Sequence, residues 1–262
     1  MKKKLQILAH RIFLPRGRNY KPEPLLENTY ERHYITHLDK SICVLYKSNI
    51  NATAKYVVVL AHPYLNEAKK FFLSKGHADM YVQLGFDVVL FDFNGFGESS
   101  FVDFNYCEDV FLVANFVSSK FPNRRMIGHG ISFGASHIIT YSTKAENKFC
   151  KIVVENCLDS NLSYYKKRNK KLYWLSKILM FLLPNLNKDH DYLDKIGRLQ
   201  NIEETLFIYN SADELTTLDM GFEMVNRCNS DSKFFKAKGK HLQALEINRE
   251  EYIQQILSIS ES

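Results

Sequence analysis

The sequence predicts a single α/β domain, with a mostly parallel central sheet, helices on both of its faces and a small helical insertion. Three observations predict it. The segments Tyr56–Ala61 and Asp87–Phe91 are apolar almost throughout and rich in β-branched residues, the pattern of strands buried on both faces of a parallel sheet. Helix-compatible segments alternate with strands from there on, the order that gives a parallel sheet covered on both sides. A length of 262 residues with 45% apolar and 24% charged side chains supports one large core without a second domain.

The N-terminus, Met1-Lys2-Lys3-Lys4 followed by Leu5 to Leu14, resembles a signal peptide at first sight. His10 and Arg11 interrupt its apolar run and no small-residue cleavage site follows, so the expectation is an arm over residues 1–29 packed on the domain. A basic amphipathic anchor on a membrane surface is the alternative. After the charged, proline-containing loop Pro15 to Pro24, Tyr30–Thr36 and Ser41–Tyr46 read as two strands joined by a polar turn. A second polar turn, Asn49 to Lys55, leads into Tyr56–Ala61. Lys75–Leu84 predicts a helix closed by Gly85, Asp87–Phe91 a strand, Glu108–Lys120 a helix with an acidic start, and Arg125–Gly128 a strand. The helix Ala135–Ser142 and the strand Ile152–Val154 follow. From about 159 to 200 the pattern becomes lysine-rich, then strongly apolar, then polar, which marks a cap insertion between strands. Thr205–Tyr209 resumes the sheet, Thr216–Cys228 is helical, Lys233–Lys236 is a last strand and Leu245–Leu257 a last helix.

The net charge of +6 is mild and 29 acidic residues accompany it, with no basic face or nucleic-acid-binding motif, so nucleic acid is not an expected partner. Five cysteines, Cys43, Cys107, Cys150, Cys157 and Cys228, are odd in number and irregularly spaced, without a C-x-x-C pair. That argues against a disulfide framework or a zinc site and fits reduced thiols in a cytoplasmic protein. The sequence calls for neither a metal nor a cofactor, and it gives no sign of oligomeric state.

The stretch Gly130-Ile131-Ser132-Phe133-Gly134 lies between a strand and a helix, the context in which G-x-S-x-G exposes a serine hydroxyl on a strained turn. The glycines fit where neighbouring backbone comes close. A serine nucleophile needs a base to take its proton and an acid to orient that base, and here the acid and then the histidine should follow the serine. Asp213 lies just beyond the strand ending at Tyr209, with Glu214 or Asp219 as substitutes. His241 lies just beyond the last strand, whereas His62, His77, His129, His137 and His190 do not. Loops at the C-terminal ends of parallel strands are where such a sheet builds its site. Developing negative charge on the substrate needs N–H donors, for which Phe133 and, in the loop His62-Pro63-Tyr64, Tyr64 are the candidates, since Pro63 has none. His62 reads as a residue that orients this loop.

Over roughly residues 56 to 258 the sequence resembles the α/β-hydrolase family. The matching pieces are His62-Pro63, where the family commonly has His-Gly, Asp92-Phe93-Asn94-Gly95-Phe96-Gly97-Glu98-Ser99, where it often has Asp-x-Arg-Gly-x-Gly-x-Ser, the elbow at Ser132, and the Asp213 and His241 loops. The resemblance implies a serine hydrolase with Ser132 as nucleophile, His241 as base and Asp213 as its orienter. Pro63 and Asn94 depart from the pattern and place the oxyanion loop or its support in question. A rival of another class is a dinucleotide fingerprint, Gly128-x-Gly130-x-x-x-Gly134 with Glu155 as ribose-binding acid. It would leave His62, Asp213 and His241 unexplained. A non-catalytic binding protein on the same fold is a third class.

The expected reaction is hydrolysis of carboxylic esters or thioesters, with peptidase, amidase or acyl-transfer chemistry as alternatives on the same three residues. The clue to substrate is the insertion, where Lys166-Lys167-Arg168-Asn169-Lys170-Lys171 runs into the apolar stretch Leu172 to Leu183 before Pro184. It is shorter than the roughly 20 residues needed to span a bilayer. It reads either as a buried cap helix behind a solvated lysine run, or as a lid that admits acyl chains and touches an anionic membrane surface.

Overall fold

Alternation within each strand builds two cores, one on each face of the sheet. In β3 (Tyr56–Ala61), Val57, Val59 and Ala61 enter one core, while Tyr56, Val58 and Leu60 enter the other. The strand is buried at every position, which is why its sequence shows no polar alternation. The architecture comes from a computed structural model that describes residues 24–49, 54–182 and 191–261. Residues 1–23 of the expected arm, part of the turn after Asn49, Pro184 and His190 lie outside the described residues.

A one-turn helix α1 (Pro24–Glu27) precedes the hairpin of β1 (Glu31–His37) and β2 (Lys40–Lys47). After β3 come α2 (Lys70–Ser74), α3 (His77–Gln83), β4 (Asp87–Phe91), α4 (Tyr106–Lys120), β5 (Arg125–Ile131), α5 (Phe133–Ser142) and β6 (Phe149–Glu155). The insertion carries α6 (Asn161–Arg168), α7 (Lys170–Leu182) and α8 (Tyr192–Ile196). β7 (Glu204–Asn210), α9 (Leu218–Arg227), β8 (Asp231–Ala237), α10 (Ala244–Ile247) and α11 (Arg249–Glu261) complete the chain. The eight strands form one sheet in the order β1-β2-β4-β3-β5-β6-β7-β8. β2 runs antiparallel to β1 and β4, and β3 to β8 are mutually parallel.

Because β4 and β5 flank β3 on opposite sides, the order reverses beside β3, and the crevice outside the carboxyl ends of β3 and β5 is where an open α/β sheet places its ligand. The insertion is closed at its base. Asp159 accepts the backbone N–H of Tyr192 at 2.8 Å, and Ser160 and Asp191 form an isolated bridge.

One expected helix is broken and another starts late. The helix expected over Lys75–Leu84 begins at His77, as α3, because Gly76 with a φ of 77° ends α2 and redirects the chain. Leu245–Leu257 is interrupted at Asn248, whose side chain is drawn into the loop before it: Oδ1 accepts the Lys238 N–H at 2.9 Å, and Nδ2 donates to the carbonyls of Lys238 and Ala244 at 2.9 and 2.8 Å.

Candidate active site

β5 ends at Ile131 and α5 starts at Phe133, leaving Ser132 as a one-residue elbow with φ 54° and ψ −112°. A non-glycine residue held there is strained, and the surroundings impose the strain. The Ser132 N–H donates to the Glu155 carbonyl at 2.8 Å, pinning the elbow to the end of β6. A Cβ on Gly134 would lie 1.9 Å from the Ala61 carbonyl oxygen, and one on Gly130 would lie 2.5 Å from the Ala135 backbone. Both glycines therefore let α5 pack directly on the strand ends.

The three candidate side chains meet. His241 Nε2 lies 3.1 Å from Ser132 Oγ, and its Nδ1 lies 2.6 Å from Asp213 Oδ2. An ionised carboxylate only accepts hydrogen bonds, so Nδ1 carries the ring proton and Nε2 is left with its lone pair toward the serine hydroxyl. The two loops are sewn together: Ser211 donates to the Ala237 carbonyl at 2.8 Å and Ala212 to the Gly239 carbonyl at 3.0 Å. The Asp213 side chain is fully buried, while His241 keeps 24% of its side chain exposed, so the imidazole is open to solvent and the carboxylate is not. Glu214 and Asp219, the substitutes for Asp213, make no such contact with His241 among the described residues.

Five donors converge on Asp213. Oδ1 accepts the N–H groups of Leu215 (2.8 Å) and Thr216 (3.0 Å), and Oδ2 accepts His241 Nδ1, Asn156 Nδ2 (2.7 Å) and the Thr216 hydroxyl. Burial alone would raise its pKa. The imidazole and the Thr216 groups outweigh burial and hold the carboxyl below its usual range. Asn156 and Thr216 were not among the residues singled out from the sequence. The backbone donors of Leu215 and Thr216 close an Asx-type turn on Asp213, which the aspartate's place just after a strand is compatible with but does not single out. Asn156 follows β6 with φ 49°, a conformation asparagine tolerates better than most residues.

His62 is fully buried between two loops. The Phe93 N–H donates to Nε2 at 3.1 Å, so Nδ1 carries the proton and donates to the Pro63 carbonyl at 2.8 Å. Burial pushes its pKa down to about 3, and it stays neutral. It orients the loop that carries Tyr64, whose ring stands edge-on to Phe133 with centroids 5.4 Å apart. Pro63 serves this loop through its carbonyl, which also accepts the Leu65 N–H. The other departure, Asn94, is also absorbed: Nδ2 donates to Asp109 Oδ2 at 2.8 Å, and Oδ1 accepts the Val102 and Asp103 N–H groups at 3.2 and 3.3 Å.

The dinucleotide reading loses its acid. Glu155 is buried, and its Oε2 accepts the Tyr252 hydroxyl at 2.6 Å on the far side of the sheet. Gly128 makes room for the Phe149 ring, which a Cβ would meet at 2.8 Å. Cys43, Asp92 and Glu98 also lie close together, but the Lys69 ammonium stands among them, 2.5 Å from Asp92 Oδ2 and 2.7 Å from Glu98 Oε2. That cluster already holds its cation.

A family described as serine aminopeptidase, S33, matches residues 52–213, more than half of the chain. The chain belongs to this family of α/β hydrolases. Solved α/β hydrolases share its fold. The esterase Pf2001 of Pyrococcus furiosus superposes with a TM-score of 0.69 at 16% identity, covering 94% of each chain. Est1E of Butyrivibrio proteoclasticus, solved with ferulic acid bound, superposes with a TM-score of 0.68 at 11% identity, covering 88% of this chain and 100% of that one. An α/β serine hydrolase homologue from Coxiella burnetii gives 0.62 at 16% identity, covering 86% and 94%. Comparison with curated proteins finds no match. The family match ends at Asp213 and does not reach His241, which the geometry brings to Ser132.

Proposed function

We propose that this α/β hydrolase cleaves carboxylic esters or thioesters of acyl groups through an acyl-enzyme on Ser132. The observation that carries the reading is the hydrogen-bonded series Ser132–His241–Asp213, with His241 Nε2 3.1 Å from the serine oxygen. In the first step Ser132 Oγ attacks the carbonyl carbon while its proton passes to His241 Nε2. The imidazolium formed is stabilised by the Asp213 carboxylate. The Phe133 N–H, at the first turn of α5 where no intrahelical acceptor exists, and the Tyr64 N–H are the proposed donors to the oxyanion. Collapse of the tetrahedral species breaks the bond to the alkoxide or thiolate, which takes the proton from His241. Water then attacks the acyl-enzyme, giving its proton to Nε2, and the acid leaves with the Ser132 hydroxyl restored.

Aromatic edges beside the nucleophile support an acyl substrate. Tyr64, Phe96, Tyr106 and His137 all stand against the Phe133 ring, with centroids 4.5–5.7 Å away. Turnover of p-nitrophenyl esters from acetyl to palmitoyl tests both parts. Ser132→Ala should abolish it, and wild-type kcat/KM should climb with chain length until the pocket is full, since each buried methylene contributes about 0.8 kcal/mol. The family description favours a second reading, an aminopeptidase, and faster cleavage of aminoacyl p-nitroanilides than of any ester would select it.

A further inference from the structure

We propose that the exposed face of α7 is a docking surface for an anionic lipid bilayer, on which the helix lies in the plane of the interface. Trp174, Ile178 and Phe181 recur at i, i+4 and i+7 with Leu175 beside them, so they share one face. That face is open: Trp174 is 61% exposed, Ile178 56% and Phe181 86%. Leu172, Tyr173 and Ser176, outside that face, are half-buried. Soluble monomers seldom leave large apolar side chains grouped in this way without a use.

Charge selects the occupant. Lys170, Lys171 and Lys177 flank the apolar face and are exposed, with Lys166 and Lys167 on the preceding helix. No aspartate or glutamate occurs between Asp159 and Asp189. A basic amphipathic helix of this kind binds where apolar side chains enter the acyl boundary and lysines meet anionic headgroups. Lys177 Nζ lies 5.7 Å from the centroid of the Trp174 ring, an amphipathic pair suited to that boundary. The helix cannot span, since no helix among the described residues is long and apolar enough to cross a membrane. A symmetric contact with a second copy would bring the same lysines face to face, which disfavours self-association through this surface. The insertion leaves the sheet at the end of β6, the edge that carries Ser132, so docking would turn that edge toward the bilayer. The inference rests on the exposed face and its charge, independently of the reaction proposed for Ser132.

Trp174 is the chain's one tryptophan, so its emission reports on this helix alone. The test titrates the full chain with vesicles of phosphatidylglycerol and phosphatidylcholine, and with vesicles of phosphatidylcholine only, at low and high salt. The expected result is a blue shift with anionic vesicles, quenched by brominated acyl chains and reversed by salt. By vesicle sedimentation, the K170Q/K171Q/K177Q variant should bind about 100-fold more weakly, and Phe181→Ser about tenfold more weakly. Circular dichroism of each variant should match the wild type. Absence of a shift in folded wild-type protein overturns the proposal. So does equal binding to neutral and anionic vesicles, or a shift without lipid that grows with protein concentration, which would mark self-association instead.

Discussion

Asp213 is the residue on which the geometry of the site turns, because the carboxylate bonded to His241 is itself held by four further donors. Thr216→Val removes one hydroxyl donor and leaves the backbone donor in place. A hydrogen bond to a charged group contributes about 1.5–3 kcal/mol, so kcat should fall by about 10- to 100-fold with KM little changed. Steady-state kinetics on a short ester reads this, and an unchanged kcat would detach Thr216 from the site. His241→Ala should approach the loss caused by Ser132→Ala, and the double variant should be little worse than the worse single one, because the two act as a unit. Asp213 also links the site to stability. Its pKa is depressed by folding, so its contribution is present above the unfolded value of about 3.9 and is lost as pH falls through the folded value. Asp213→Asn should therefore destabilise the protein at neutral pH, by an amount that shrinks progressively as pH falls below the unfolded value of about 3.9, as read by urea unfolding.

The elbow works as an element only if α5 sits directly on the end of β3. Gly134→Ala puts a methyl group 1.9 Å from the Ala61 carbonyl, and backbone on both sides leaves it nowhere to go. We expect a cost of about 3 kcal/mol or more, with loss of activity as α5 shifts. Gly85→Ala is the control: at φ 89° with nothing within 4 Å, it should cost only the left-handed penalty of about 1–2 kcal/mol and leave turnover intact. Equal costs in thermal unfolding would mean that α5 has room to move. The strands were legible because burial on both faces leaves runs such as Tyr56–Ala61 without polar alternation, and the order of Ser132, Asp213 and His241 follows the strand ends. The break at Asn248 was not legible, because Leu245–Leu257 has continuous helix-compatible composition and the break answers to the hydrogen bonds that Asn248 makes with Lys238 in the preceding loop. Asn156 gives no signal of its own for a related reason: an asparagine after a strand looks like any turn residue until the fold brings Asp213 beside it.

At the scale of the whole molecule, polar groups are buried on both sides of the sheet, and some have no partner. His77 is buried among Phe71, Phe72, His129 and Tyr252, and neither ring nitrogen has a hydrogen-bond partner among the described residues. Burial pushes its pKa down to about 4, with Glu155 opposing and His129, Lys75 and Arg249 reinforcing the shift. Below about 6.5 the unfolded chain gains a proton that the folded one refuses, so stability is lost as pH falls from there toward 4. His77→Phe removes both the orphan nitrogens and this linkage. It should stabilise the fold by about 1–3 kcal/mol at pH 7 and by about 2 kcal/mol more at pH 5; a gain independent of pH would show that His77 does not refuse the proton. The same fold carries six parallel strand ends to one edge and there assembles Ser132, His241 and Asp213. Labelling with a fluorophosphonate, followed by mass spectrometry of the digested protein, tests that assembly most directly. The account predicts a single adduct on the peptide containing Ser132, absent in Ser132→Ala and strongly slowed in His241→Ala. Wild-type protein that is folded yet unlabelled, or labelled as fast without His241, would contradict it.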